Sequence, residues 1–203
     1  MNCSTMKRGT TAVAAMILLA ACSDQSPVAP VAPAAPAPEA FVSLLLPKPE
    51  QVTVVTRNTP LETAITRSAY FGLLGGVISI PEAGLKVIVP PAAVLSRTKF
   101  TVTAPAGNAV AYEFGPHGKR FLVPLIVEQN LRNTSAYGNT PILGSLEAGY
   151  FTDLNSIGLI ALVTEILPVI YDPITAKARF TVGHFSGYLL ASGRQKQQTS
   201  EEQ

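Results

Sequence analysis

Residues 75–91 read Gly75-Gly76-Val77-Ile78-Ser79-Ile80-Pro81-Glu82-Ala83-Gly84-Leu85-Lys86-Val87-Ile88-Val89-Pro90-Pro91. Two short apolar runs flank four residues of turn type, and a proline pair closes the second run. β-Branched side chains are stiff in a helix and fit a pleated surface, while proline cannot donate to a ladder. The stretch therefore predicts two strands joined by a tight turn. The same grammar recurs on both sides: residues 51–57 (QVTVVTR) are rich in β-branched side chains, and residues 99–104 (KFTVTA) and 179–182 alternate. Short runs bounded by Gly and Pro at close intervals predict an all-β fold, a single β-sandwich, over residues 50–193. About 140 residues are ample for one core. Only residues 61–68 (LETAITRS) and 91–95 offer helical turns, and no internal repeat is visible.

Residues 154–171 are mostly apolar and approach the length of a membrane span. Asn155, Ser156, Glu165 and Pro168 interrupt them. A carboxylate at mid-bilayer costs several kcal/mol and proline breaks the helical ladder, so a span is rejected. The Ile, Val and Thr content suits two buried strands instead, over residues 158–164 and 165–171.

Upstream of the sandwich the chain reads as an address and a spacer. Lys7-Arg8 precede an apolar run from Ala12 to Ala21, which ends as Leu19-Ala20-Ala21-Cys22. A short basic region, a short apolar region and a small-residue cleavage site make a secretory signal over residues 1–21. The run is too short to span a bilayer. Met6-Lys7-Arg8 is a more typical opening for such a signal than Met1-Asn2-Cys3. Residues 26–40 read SPVAPVAPAAPAPEA. Prolines every two or three residues hold the polyproline II angle and remove donors, so residues 22–49 are expected to be a disordered, semi-rigid linker. At about 3.1 Å per residue its proline-rich part reaches roughly 45 Å. Residues 194–203 (RQKQQTSEEQ) are a polar tail.

Charge excludes more than it indicates. The chain carries 15 Lys and Arg against 13 Asp and Glu, and charged residues make up 14% of it. Loss of Lys7 and Arg8 with the signal leaves a neutral protein, with no basic stripe for nucleic acid. It also leaves Cys22 as the only cysteine, so no intramolecular disulfide is possible and the fold rests on its core. The two histidines, His117 and His184, have no cysteine partner and make a poor zinc site. His117 in Gly115-Pro116-His117-Gly118 reads as turn geometry, as do Asp153 and Asp172-Pro173. No motif for a phosphate loop, a dinucleotide fold, a zinc protease or a serine-hydrolase elbow occurs, and no cofactor or metal is implied.

Two resemblances add to this reading. Leu19-Ala20-Ala21-Cys22 resembles the lipobox of bacterial lipoproteins. That likeness implies diacylglycerol on the Cys22 sulfur, cleavage before Cys22, and an envelope location. Ser23 after the cysteine implies the outer membrane. Several acyl chains anchor stably where one is marginal. Residues 75–93, with Tyr112-Glu113-Phe114-Gly115-Pro116-His117-Gly118, Val123-Pro124-Leu125 and residues 178–188, resemble a ZU-five domain, the sandwich of zonula occludens proteins, netrin receptors and ankyrins. Some members of that family cut themselves within a His-Phe-Ser triplet, and His184-Phe185-Ser186 matches it. The likeness implies attack of the Ser186 hydroxyl on the Phe185 carbonyl, an N-to-O acyl shift, with His184 moving the proton. Gly183 and Gly187 could permit unusual backbone angles at the cut. The competing reading places all three residues in a last strand, with His184 and Ser186 on one face and Phe185 on the other.

The sequence therefore predicts a membrane-anchored lipoprotein, tethered through lipid on Cys22, that presents a β-sandwich interaction or scaffold domain to an unidentified envelope protein. Self-cleavage between Phe185 and Ser186 is the alternative function, and an envelope hydrolase a weaker one.

Overall fold

The computed structural model describes residues 48–194. The signal, Cys22, the proline-rich segment and the tail after Arg194 lie outside the described residues.

The opening hairpin forms as its sequence dictates. β4 (Gly76–Ile80) and β5 (Leu85–Val89) are joined by a 3-10 turn over Pro81–Ala83, closed by Gly84 at φ 70°. Such a left-handed residue suits glycine, which lacks the β-carbon that would clash. Thirteen further strands surround this hairpin. Before it come β1 (Glu50–Val54), β2 (Thr56–Leu61) and β3 (Ile65–Phe71). After it come β6 (Thr98–Ala104), β7 (Gly107–Ala109), β8 (Ala111–Gly115) and β9 (Arg120–Asn130). A single helical turn, α1 (Thr140–Leu143), precedes β10 (Leu146–Phe151), β11 (Ile160–Val163), β12 (Glu165–Pro168), β13 (Ile170–Asp172), β14 (Lys177–His184) and β15 (Gly187–Arg194).

One sheet runs β13-β14-β9-β5-β4, antiparallel throughout. The other runs β11-β1-β15-β8-β6-β3, with β10 on β15 and β12 on β10. The two pack as an all-β sandwich. Alternation decides the core: Ile78 and Ile80, Leu85, Val87 and Val89, and Phe180 and Val182 turn inward onto Phe100, Val102, Phe114, Tyr188 and Leu190.

The second sheet also closes on itself. β15 pairs β1 and β10, β1 pairs β11, and β10 pairs β12. The chain passes from β11 to β12 through Thr164 alone, whose N–H donates to Tyr150. These strands, with the chain itself linking β11 to β12 at Thr164, pack around a second small core of Val52, Val54, Phe151, Val163, Leu189 and Ala191. β15 is thus buried on both faces, with Tyr188 and Leu190 in the main core and Leu189 and Ala191 in the second.

Four expectations change. Residues 61–68 hold no helical turn, because β3 pairs with β6 over its full length from Ile65–Ala104 to Phe71–Thr98. Residues 91–95 form turns and bends rather than a helix. Residues 51–57 are not one strand: Val55 bonds Leu190 and Val110 at 2.9 Å, and there the chain leaves β1 for the β2–β7 pair. Residues 158–171 hold three strands, of which β11 buries Ala161 and Val163 and exposes Ile160 and Leu162, while no residue of β12 or β13 is fully buried and Leu159 and Ile170 are exposed. No helix among the described residues is long and apolar enough to cross a membrane.

Candidate functional site

His184, Phe185 and Ser186 form the corner between the two sheets. β14 ends at His184, held by β9, and β15 begins at Gly187 in the other sheet. The last-strand reading therefore fails at Phe185 and Ser186, where the chain bends across the sandwich. The segment after β8 grips the corner. Phe185 N–H donates to Lys119 O at 2.8 Å, Gly118 N–H donates to Phe185 O at 3.1 Å, and Phe114 N–H donates to Ser186 O at 2.9 Å. The Phe185 ring is fully buried, edge-on to Phe100 at 4.6 Å and to Phe121 at 4.7 Å.

The three side chains point to different surroundings. The His184 ring packs edge-on to Tyr150 at 5.5 Å, and its Nε2 lies 3.6 Å from a Glu165 carboxylate oxygen. The Tyr188 hydroxyl stands 3.3 Å from both ring nitrogens and donates to the His184 carbonyl at 3.1 Å. Burial, with the charges of Glu165 and Tyr150 adding to it, pushes the Tyr188 phenol well above its ordinary range, so it remains a donor. Ser186 is buried, and its backbone carbonyl accepts from Phe114 N–H. An N-to-O acyl shift needs a donor on the carbonyl that becomes an oxyanion and a base on the attacking hydroxyl. Gly118 N–H supplies the first at Phe185 O. The second contact is not made, since His184 is held by Tyr188 and Glu165.

The glycines flanking the triplet act otherwise than expected, for neither adopts a positive φ. A β-carbon on Gly187 would lie 2.4 Å from the Phe151 ring, so close packing requires that glycine. Gly183 has open space beside it. His117 lies exposed in the turn after β8. Asp153 caps the turn at Leu154–Ser156 through Asn155 N–H at 2.9 Å. Asp172 accepts from Ile174 N–H and the Thr175 hydroxyl; the latter bond first holds its carboxyl below the usual range. Among the described residues no three His, Cys, Asp or Glu side chains gather as a metal would require. Cys22 lies outside the described residues.

Sequence reasoning missed a buried polar group. Arg57 on β2, Tyr112 on β8 and Gln129 on β9 meet under the Pro81–Ala83 turn. The Tyr112 hydroxyl bonds Ala83 O at 2.9 Å and the Gln129 side-chain oxygen, while Gln129 Nε2 donates to Ala83 O at 3.1 Å and Asn130 O at 2.9 Å. A cavity of about 160 Å³ opens beside them, lined also by Gly84, Arg132 and Thr134. The one available signal was Arg57 itself, a charge closing the β-branched run QVTVVTR.

No family model matches the chain, and no curated protein matches it.

Proposed function

We propose that this protein is a lipid-anchored envelope protein whose β-sandwich is a protein-interaction module, similar in plan to a ZU-five domain. One observation carries it: Leu19-Ala20-Ala21-Cys22 leads into a proline-spaced segment, and that segment leads directly into a sandwich whose first strand starts at Glu50. Such an order places a folded domain at a distance from the bilayer. One end of the sandwich supports the interaction half. Ala92 N–H bonds Leu73 O at 2.8 Å and Leu122 N–H bonds Ala93 O at 3.1 Å, which joins two loops and the start of β9. Leu73, Leu74, Leu95 and Leu122 stand exposed there, Leu74 at 88%. Grouped exposed leucines are the usual mark of a contact surface, where single ones are not.

The test has two arms. Cys22→Ser should move the protein from the membrane to the soluble fraction; retention in the membrane overturns the anchor. Photo-crosslinking residues placed at Leu74 and Leu122 should give one defined adduct in intact envelopes. Ile174, exposed at the other end of the β9–β14 pair, is the control. Equal labelling from position 174, or no adduct at all, overturns the interaction surface.

Self-processing stands second, favoured by the Gly118 N–H on the Phe185 carbonyl. Its test is the mass of the denatured chain.

A further inference from the structure

We propose that the cavity beside Arg57 binds a small monocarboxylate, held by the Nε–Nη2 edge of the guanidinium. Arg57 is 4% exposed. Its Nη1 donates to Ala109 O, and its guanidinium carbon lies 5.4 Å from the centre of the Tyr112 ring. Nε and Nη2 are buried and have no hydrogen-bond partner among the described residues. These two N–H groups share one edge of the planar fork and point the same way, which is the geometry that meets two carboxylate oxygens at once. Arginine cannot release its proton, so burial leaves both a charge and two donors to be satisfied.

Among the described residues no anion meets them. Glu82 is the one acid on the cavity wall, and Arg67 Nη2 already holds its carboxylate at 2.9 Å. Arg132 adds a second cation to the wall. Gln129 lines the cavity and is bonded to Ala83 O and Asn130 O, while Tyr112, held to Ala83 O and Gln129, also faces the Arg57 guanidinium. The balance of two arginines against one paired acid favours a single negative charge. The volume, about 160 Å³, is close to the roughly 150 Å³ that holds one benzene in an engineered cavity. That limits the ligand, or the part of it that enters, to about six non-hydrogen atoms. Both nitrogens are covered in this structure, so binding requires the guanidinium to turn toward the cavity that Arg57 lines. A free acid and the terminal carboxylate of a peptide share this chemistry.

The experiment follows the Arg57 Nε–H resonance of the ¹⁵N-labelled full chain during titration with sodium propionate at constant ionic strength. A saturable shift at millimolar concentration is expected, with none from propionamide, which keeps the shape and lacks the charge. Arg57→Lys keeps a charge but loses the edge, and should weaken binding about tenfold or more. Arg132→Gln, at the exposed rim, should weaken it a few-fold and leave the fold intact. If Arg57→Lys does not fold, the comparison of propionate with propionamide on the native chain decides. A dipeptide and its C-terminal amide then separate the sources: binding of the free dipeptide alone assigns a chain end, and binding of propionate alone assigns a free acid. No saturable shift, an equal shift from propionamide or sodium chloride, or tighter binding of inorganic phosphate overturns the proposal.

Discussion

Gly187 begins β15 with the Phe151 ring occupying the place of a β-carbon, its nearest atoms 2.4, 2.6 and 2.7 Å away. Phe151 is itself buried, so it cannot move without opening the second core. Gly187→Ala should therefore destabilise the protein by about 2–3 kcal/mol, as overpacking of a dense interior does. Gly183→Ala is the matched control, immediately before the corner. Nothing lies within 4 Å of its added methyl, and its φ is not positive, so its effect should stay within about 0.5 kcal/mol of zero. Urea unfolding of both variants checks the pair; equal stabilities would mean that the Phe151 contact does not constrain the corner. The residue scale also explains why Tyr112 can sit among apolar neighbours. Burial raises its phenol and the Arg57 charge lowers it, with burial the larger, so the hydroxyl stays protonated and donates.

Three strands meet in one ionic cluster. The register sets Lys86 of β5 opposite Glu128 of β9, and Glu128 opposite Arg179 of β14. Arg179 Nε donates to Glu128 at 2.7 Å, and Lys86 and Lys177 lie 3.8 and 3.6 Å from its other oxygen. Burial alone would raise the Glu128 carboxyl, but the Arg179 hydrogen bond and the three cations outweigh it, and the net pKa is lowered. A carboxylate with a depressed folded value adds stability above its unfolded pKa, and that stability disappears as pH falls through the folded value. Glu128→Gln should cost about 1–2 kcal/mol near neutrality, between the worth of a surface pair and a buried one. It should also flatten the loss of stability on acidification below the usual carboxylate range. Thermal unfolding across that range checks it, and an acid limb matching the native one would remove Glu128 from the account. A second element tests which face is buried. In β11, Val163 points into the second core and Leu162 points out, so Val163→Ala should cost about 1–2 kcal/mol and Leu162→Ser close to nothing. The β4–β5 hairpin was legible because its apolar runs and its Pro-Glu-Ala-Gly turn agree. β3 was not, since an edge strand buries few side chains and Leu61 and Ile65 fall four apart as on a helix. Residues 158–171 misled in the opposite sense, because outward Ile160 and Leu162 mimic a strand buried on both faces. The triplet His184-Phe185-Ser186 was visible as a motif. The corner that separates its side chains depends on pairing with β8 and β9, which no local pattern reports.

At the scale of the molecule, β15 is the strand on which both layers depend. It lies between β10 on one edge and β8 and β1 on the other, and it starts at the corner that the Lys119 and Gly118 backbone holds. A cut between Phe185 and Ser186 would therefore not release anything by itself. The piece from Ser186 onward would stay bound through the ladders of β1, β8 and β10, and a native gel would show one species whether or not the bond was intact. Only denaturation separates the cases. The geometry at the corner decides the expectation: Gly118 N–H is in place on the Phe185 carbonyl, but the His184 ring is engaged by the Tyr188 hydroxyl and Glu165 instead of the Ser186 hydroxyl. Without a base on that hydroxyl the acyl shift forfeits roughly 10²–10⁴-fold in rate. The denatured chain should accordingly give a single mass, for native protein and for Ser186→Ala alike. Two masses that sum to the whole and split at Phe185–Ser186, lost in Ser186→Ala, would show that His184 turns away from Tyr188 in solution. In that event Tyr188→Phe, which removes the hydroxyl beside both ring nitrogens, should speed the cut and place the restraint on His184 at that single bond.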